Sequence, residues 1–423
     1  MATIRPFRGL RYTGASDLAS VVAPPYDVIS ADMRDDLARK SPHNVVYITL
    51  PEKTPEDRSK FIRYARSAAC LEEWRREGLL VLEESPSYYR YAQTFTLPNT
   101  GEAYTRTKLV ATIKVEPYSN GVVLPHERTF PKHRQDRLRI LEATRSHVEC
   151  ILGLFEDDDG SLHGLIAGAA ATQVADFHTD DGIRHVLDRI DDPAACGAIT
   201  AAMADRKVWI ADGHHRYETA LEFRESLGEE DGPVAEDFMM MALCSISDPG
   251  LVLLPTHRIL KRSPVDAAGM KELLAKDFRL SDVANSELAG RIEGSGSRAF
   301  GVALPCGTGV VVEFDDVDSL ARQVEGEGGM TVKRLDVSIL HGFVFAKLLG
   351  LSGSDFFGHT RDADEAVSAV ENGAPAAFLM NAPTVADMRE VAACGDFMPQ
   401  KSTYYYPKLL SGLVLWSLKD FVE

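Results

Sequence analysis

The sequence predicts an α+β fold, with mixed sheets and interleaved helices. Short apolar runs, such as FMMMALCSI at 238–246, read as strands. They alternate with longer stretches at helical spacing, yet no strict strand–helix–strand repeat appears. At 423 residues the chain is also too long for one hydrophobic core of ordinary size. Three consecutive regions are expected: 1–100, 101–260 and 261–423, the last packing back on the second.

The elements follow in order. Residues 1–30 are loop-rich and end in VVAPPYDVIS, where Pro24 and Pro25 forbid a helix. Ser30 or Asp32 can cap the helix that follows, ADMRDDLARKS. VVYITL (45–50) reads as a strand because it is β-branched and aromatic. Phe61, Ile62, Tyr64, Ala65 and Leu71 mark a helix within 56–80. Residues 87–97 and 104–116 read as a hairpin around LPNTGEAY. A loop, LPHERTFPKHR, leads into a basic helix. ILGLFED (151–157) is a strand, 172–190 a mixture of strand and helix, and VWIA (208–211) a strand entering a helix. FMMMALCSI and LVLLPTHRIL are strands or buried segments. Residues 333–350 read as a helix, and FFGHTRDADEAVSAVENG followed by AAFLMN as strand, helix, strand.

Composition narrows the function. Hydrophobic residues make up 45% and charged residues 26%, as in ordinary globular proteins. Lys+Arg 46 against Asp+Glu 63 gives a net charge of −17, which argues against a protein built to coat nucleic acid. Six cysteines lie singly at 70, 150, 196, 244, 306 and 394, so no zinc cluster or redox dithiol is signalled. Their scatter suits a reducing cytoplasm. No signal-peptide core and no run of about 18 apolar residues is present, so no membrane partner is expected. GxxxxGK[ST], GxGxxG after a strand, HExxH and GxSxG at a strand-to-helix turn are absent. A homodimer is left open.

Four stretches concentrate functional side chains. The first is KVWIADGHHRYETAL (207–221). It places Asp212, Gly213, His214, His215 and Arg216 where a strand turns into a helix. The first helix amides lack intrahelical partners and attract phosphate, and Arg216 offers a matching planar fork. A solvated strand end is the plainer alternative. The second is LPHERTFPKHRQDR (124–137), with His126, Glu127, Thr129, Lys132 and Arg137 among stiffening prolines. Glu127 fits a base toward a bound hydroxyl, or a neutraliser of its cationic neighbours. The third is PPYDVIS (24–30), where rigid prolines fix Tyr26 and Asp27; Asp27 suits a metal, an amine or a plain cap. The fourth is MPQKSTYYYPKLLSGLV (398–414), with Gln400, Lys401 and Ser402 ahead of an aromatic run. THR at 256–258 resembles a second anion site in miniature, and His341 sits alone on an apolar stretch, as a satisfied core histidine does.

PPYDVIS, LPHERT, IADGHHRYETAL, RLDVSILH and MPQKSTYYYPKLLSGLV, in this order, resemble the bacterial and archaeal family known as domain of unknown function 1015. IADGHHRYETAL is also distantly similar to the phosphate-binding box of the ParB/sulfiredoxin superfamily. That likeness implies a ParB/sulfiredoxin-like core with added N- and C-terminal elements. It also implies a nucleotide or phosphate site. The free serine kinases of that superfamily carry an Asp-Gly-His box and an upstream glutamate base. Carried over by position, Glu127 is the base, with His126 and Asp212 as further catalytic candidates. Gly213, His214, His215, Arg216, Thr129, Lys132, Arg137 and Lys401 are the phosphate ligands, and Tyr26, Asp27, Gln400 and Ser402 the substrate contacts. The implied activity is phosphoryl transfer from ATP, ADP or pyrophosphate to a small hydroxylated metabolite, free L-serine above all. Mg²⁺ would bridge phosphate oxygens near Asp212. The alternatives are a ParB-like nucleotide-binding regulator and a phosphate-ester hydrolase. LPHERTFPKHR is expected across a cleft from DGHHR.

Overall fold

A computed structural model describes residues 1–14, 16–97, 100–228, 232–293, 295, 298–353, 355–399 and 401–422. It is α+β, as expected. The chain forms two compact units where three consecutive regions were expected. One comprises Met1–Pro125, Thr129–Val252 and Pro407–Glu423; the other comprises His126–Arg128 and Leu253–Tyr406. The division is discontinuous because the last residues pair with early ones: Trp416 and Ser417 form a ladder with His147 and Ser146.

The first unit is built on a nine-stranded mixed sheet. Its path runs Val123–Leu124, Val208–Asp212, Ile151–Phe155, Phe238–Ser245, Ala103–Lys114, Tyr88–Thr96, Arg184–Ile190 and Thr172–His178, with Ile4–Arg5 beside Ala103–Lys114. Phe238–Ser245 is buried throughout, as a central strand covered on both faces must be. Helix Pro131–Thr144 packs between helices Ile62–Arg76 and His214–Ser226. Proline opens it, where a missing N–H costs nothing.

The second unit is a six-stranded antiparallel sheet: Arg279–Ala284, Thr308–Glu313, Ala299–Ala303, Ala377–Met380, His257–Leu260 and Phe357–Thr360. Helices Leu288–Glu293 and Ala363–Glu371 bury Leu288, Ile292, Ala366 and Val370 against it.

Ser30 caps the helix Ala31–Lys40 by accepting from the Met33 amide, as predicted. The hairpin is strands Tyr88–Thr96 and Ala103–Lys114; residues 98 and 99 of its turn lie outside the described residues. Three expectations need correction. VVYITL is a helical turn, Val46–Thr49. Asn44 decides it: its Oδ1 accepts from the Val46 amide at 2.9 Å while its Nδ2 donates to the Ser20 and Val22 carbonyls. Packing and this side-chain turn override β-propensity. Residues 172–190 form two strands, joined at Gly182 with φ +80°. Residues 333–350 end in a π-helix, Ile339–Leu348.

All six cysteines are unpaired. Among the described residues no helix is long and apolar enough to cross a membrane.

Buried histidines make the first unit acid-sensitive. Burial pushes His147 down to about 4, and burial with nearby Lys108 pushes His185 down to about 3. His185 is engaged on both nitrogens, by Tyr91 Oη at 2.8 Å and Thr179 Oγ1 at 3.0 Å. The unfolded chain protonates these rings below about 6.5, whereas the folded chain holds them neutral down to 4 or 3. The contribution of these two histidines to stability should therefore fall as the pH drops from about 6.5 toward 4. Asp336 in the second unit, held up to about 6 by burial, acts in the opposite sense. Urea unfolding at pH 7.0, 5.5 and 4.5, followed by the fluorescence of Trp416, which stacks on His147 at 5.5 Å, checks this, and a flat profile contradicts it.

Candidate functional site

The strand Val208–Asp212 ends on an irregularity: its register against Ile151–Phe155 shifts between Ile210 and Asp212. The shift turns Asp212 toward the C-terminal segment. Lys408 Nζ meets Asp212 Oδ2 at 3.0 Å. Burial opposes ionisation of Asp212, but Lys408 and Arg216 outweigh it and hold the carboxyl down to about 2. Asp212 is thus a charged group paired to Lys408 through Oδ2.

Gly213 follows with φ +99°, the left-handed region. A Cβ there would lie 2.4 Å from Ile151 Cγ2. Both the backbone angle and the close approach require glycine. Gly213 starts the helix His214–Ser226, which therefore begins flush against the sheet.

Arg216, one turn on, points inward. One terminal nitrogen donates to the Cys150 carbonyl at 2.8 Å. Its Nε is buried with no hydrogen-bond partner. Burial works against its charge, yet Glu149, Asp212 and Asp27 together hold the guanidinium above its ordinary value. His214 is buried beside Asp212. His215 faces elsewhere: its Nε2 accepts from the Phe130 amide at 2.9 Å and its ring meets His133 edge-on at 5.3 Å. Burial, then His133, lowers it, so it is a neutral acceptor near pH 7.

Behind this turn lies a clasp. Glu149, 6% exposed, accepts from the Tyr26 amide at 3.0 Å, from Ser411 Oγ at 3.1 Å and from Arg137 at 3.3 Å. Arg137 also donates to the Thr49 carbonyl and pairs with Asp136, and its guanidinium lies 3.9 Å from the Tyr26 ring centre. Burial is the largest influence on the Tyr26 phenol and pushes it up to about 12, so it stays a donor. Asp27 is exposed on the 3₁₀ turn Tyr26–Val28, and its charge reaches Arg216 and His215. Thr129 Oγ1 and Arg134 both donate to Glu218, the latter at 2.8 Å. Lys132 is exposed on the first turn of helix Pro131–Thr144.

The first unit carries Tyr26, Asp27, Thr129, Lys132, Arg137 and Asp212 through Arg216, and links Tyr26, Asp27 and Arg137 to Arg216 through Glu149 and their mutual charges. Two expected roles change there. Arg137 is committed to Glu149, Asp136 and Tyr26, and so is a strut of the site. Arg216 is an internal cation with one open nitrogen. His126, Glu127, Lys401 and Ser402 belong to the second unit. There the Lys401 amide donates to Glu127 Oε1 at 3.3 Å, and the Met398 amide to the His126 carbonyl at 2.7 Å. His126 Nε2 lies 3.0 Å from Thr403 Oγ1, and Ser402 Oγ donates to the Pro399 carbonyl. Gln400 lies outside the described residues.

Sequence reasoning missed Glu149, Lys408 and Ser411. Glu149 carried a signal: a carboxylate inside the apolar run HVECILGLF must be paired if it is buried. Lys408 stood inside a quoted motif, but periodicity cannot choose between it and Lys401. Arg106 and Lys108 were missed too. Both are fully buried on one strand face and both donate to Gln93 Oε1. Among the described residues no group of three His, Cys, Asp or Glu side chains could hold a metal. Asp212 alone could serve a magnesium ion that takes its other ligands from phosphate and water.

The chain matches the family model described as protein of unknown function (DUF1015) over residues 4–338. It belongs to this family. No curated protein matches the DUF1015 chain. Solved structures resemble it remotely. A free serine kinase variant in complex with ADP shares 12% identity at TM-score 0.35, over 70% of this chain and 86% of that one. A conserved hypothetical protein from Pyrococcus furiosus shares 14% at TM-score 0.34, over 74% and 97%. C-terminally truncated SbnI from Staphylococcus aureus shares 10% at TM-score 0.36, over 74% and 90%. Likeness of that degree carries no argument about activity.

Proposed function

We propose that this DUF1015 protein is a phosphotransferase that moves a phosphoryl group to a small hydroxylated metabolite, with free L-serine as acceptor and ATP, ADP or pyrophosphate as donor. One observation carries the reading. A glycine with φ +99°, pressed against Ile151, opens a helix whose first turn holds two histidines and a charged arginine with an open, buried Nε. The first amides of that helix have no intrahelical partner and attract phosphate oxygens. Phosphoryl transfer asks for positioning and charge neutralisation more than covalent chemistry. In this reading Asp212 would hold Mg²⁺, which supplies charge neutralisation at the phosphates. The turn and Arg216 orient the donor, and the Tyr26–Glu149–Arg137 clasp keeps Arg216 in place. Glu127 is assigned as proton acceptor on the family resemblance alone.

The decisive experiment is a transfer screen with purified protein, crossing serine, threonine and other alcohols with ATP, ADP and pyrophosphate. Phosphate release without acceptor would point instead to hydrolysis. Arg216→Ala should weaken donor binding by about 1.5–3 kcal/mol, the range for a charged hydrogen bond. Calorimetric titration of the donor measures it; unchanged affinity removes Arg216 from the site.

A further inference from the structure

Among the described residues, the second unit contains a buried cation without a counter-ion. Arg258 is 1% exposed. Its Nε donates to His341 Nε2 at 3.1 Å, one terminal nitrogen to the Thr256 carbonyl and the other to the Lys401 carbonyl at 3.3 Å. All three acceptors are neutral. Among the described residues no carboxylate pairs with Arg258, and burial alone pulls it down to about 10, so it remains charged near neutral pH. A desolvated, unpaired guanidinium is costly, and proteins rarely keep one without a use.

His341 helps to hold it. It stands on the π-helix Ile339–Leu348, a rare geometry that is frequent at functional sites. Burial, then the charge of Arg258, pushes His341 down to about 3. The ring therefore stays a neutral acceptor. What the sequence presents as a core histidine and a miniature Thr-His-Arg motif is one device.

Arg258 lines a cavity of about 360 Å³, within the range of small-molecule pockets. Thr256, Ser402, Asn381, Arg298 and Asp336 share its wall. Arg298 is taken: it donates to the Arg334 carbonyl and meets Asp336 Oδ1 at 3.2 Å. Asp336 is in turn not paired with Arg258. The cavity therefore offers an open cation and, apart from it, a carboxyl.

We propose that this cavity binds a small organic acid that carries its own hydroxyl or amino group: the ligand's carboxylate completes Arg258 and its donor faces Asp336. The site stands independently of phosphoryl transfer.

Isothermal titration of the full chain, with no phosphoryl donor present, tests it. The probes are glycolate, glycine, acetate and inorganic phosphate. Glycolate or glycine should give saturable heat with a dissociation constant below about 1 mM, and acetate should bind at least about tenfold more weakly. Arg258→Met should abolish this heat while the protein stays folded by circular dichroism, since methionine keeps most of the side-chain length and removes a charge that is costly to desolvate. Should that variant fail to fold, Asp336→Asn takes its place: it should erase the preference for glycolate over acetate. The proposal is overturned by no saturable heat with wild type, by phosphate binding that is tighter than that of any acid and is lost in folded Arg258→Met, by full acid binding in folded Arg258→Met, or by unchanged preference in Asp336→Asn.

Discussion

Glu149→Ala should lower the unfolding free energy by about 3–5 kcal/mol, because it removes one of the two carboxylates paired with a buried arginine together with the shared acceptor of Tyr26 and Ser411. Glu149 and Arg137 have side chains only 3% and 5% exposed and meet at 3.3 Å. The pair itself need not be worth much, since taking two charges out of water offsets most of their attraction. Breaking it is different. Arg137 would keep Asp136 and the Thr49 carbonyl, but the Tyr26 amide and the Ser411 hydroxyl would lose their common acceptor at 3.0 and 3.1 Å. Arg216 would also lose the carboxylate that most sustains its charge. Glu149→Gln keeps both hydrogen-bond acceptances and should cost distinctly less. Arg137→Met with Glu149→Ala should recover part of the loss, as coupled neighbours do. Urea unfolding of the four proteins measures it. A loss below about 1 kcal/mol for Glu149→Ala would show that water reaches Arg137 and that no clasp exists.

Glu127→Gln should lower turnover by about 10²–10⁴ with donor binding intact, the cost of removing a positioned base. The structure supplies a specific rival. Glu127 Oε1 accepts from the amide of Lys401, which has φ +58°, a conformation that non-glycine residues rarely adopt. Glu127 could serve to brace that turn. Glutamine keeps the carbonyl acceptor, so the brace survives the substitution and only proton acceptance is lost. Single-turnover kinetics at saturating donor, with L-serine as acceptor, then separates the roles. A wild-type rate assigns Glu127 to bracing and rejects it as base. A lost rate at unchanged thermal stability supports the base.

Some of this was legible locally. Ser30 before a polar–apolar period and Asp-Gly after an apolar run each announce a boundary through the chemistry of one or two residues. The helix at 31–40 and the turn at 212–213 could therefore be read directly, and so could the strand–helix–strand run from Phe357 to Met380. VVYITL could not: its β-branched composition says strand, but Asn44 ties the backbone to Ser20 and Val22, distant in sequence, and a helical turn results. Residues 172–190 hid two strands because the edge strand Thr172–His178 is exposed along most of its length, so few apolar positions mark its period.

The sequence by itself determined the glycine turn, the basic loop and the identity of the motif residues, because each depends on neighbours along the chain. Only the tertiary structure decided what those residues do. It joined Pro24, Tyr26, Glu149 and Ser411, which lie up to 387 residues apart, and gave Lys408 to Asp212. It turned Arg137 from a phosphate ligand into a strut, and among the described residues left Arg258 without a counter-ion. The reason is physical: a charge is read from the chain, but whether it is free, paired or stranded depends on desolvation and on the partners that folding brings to it.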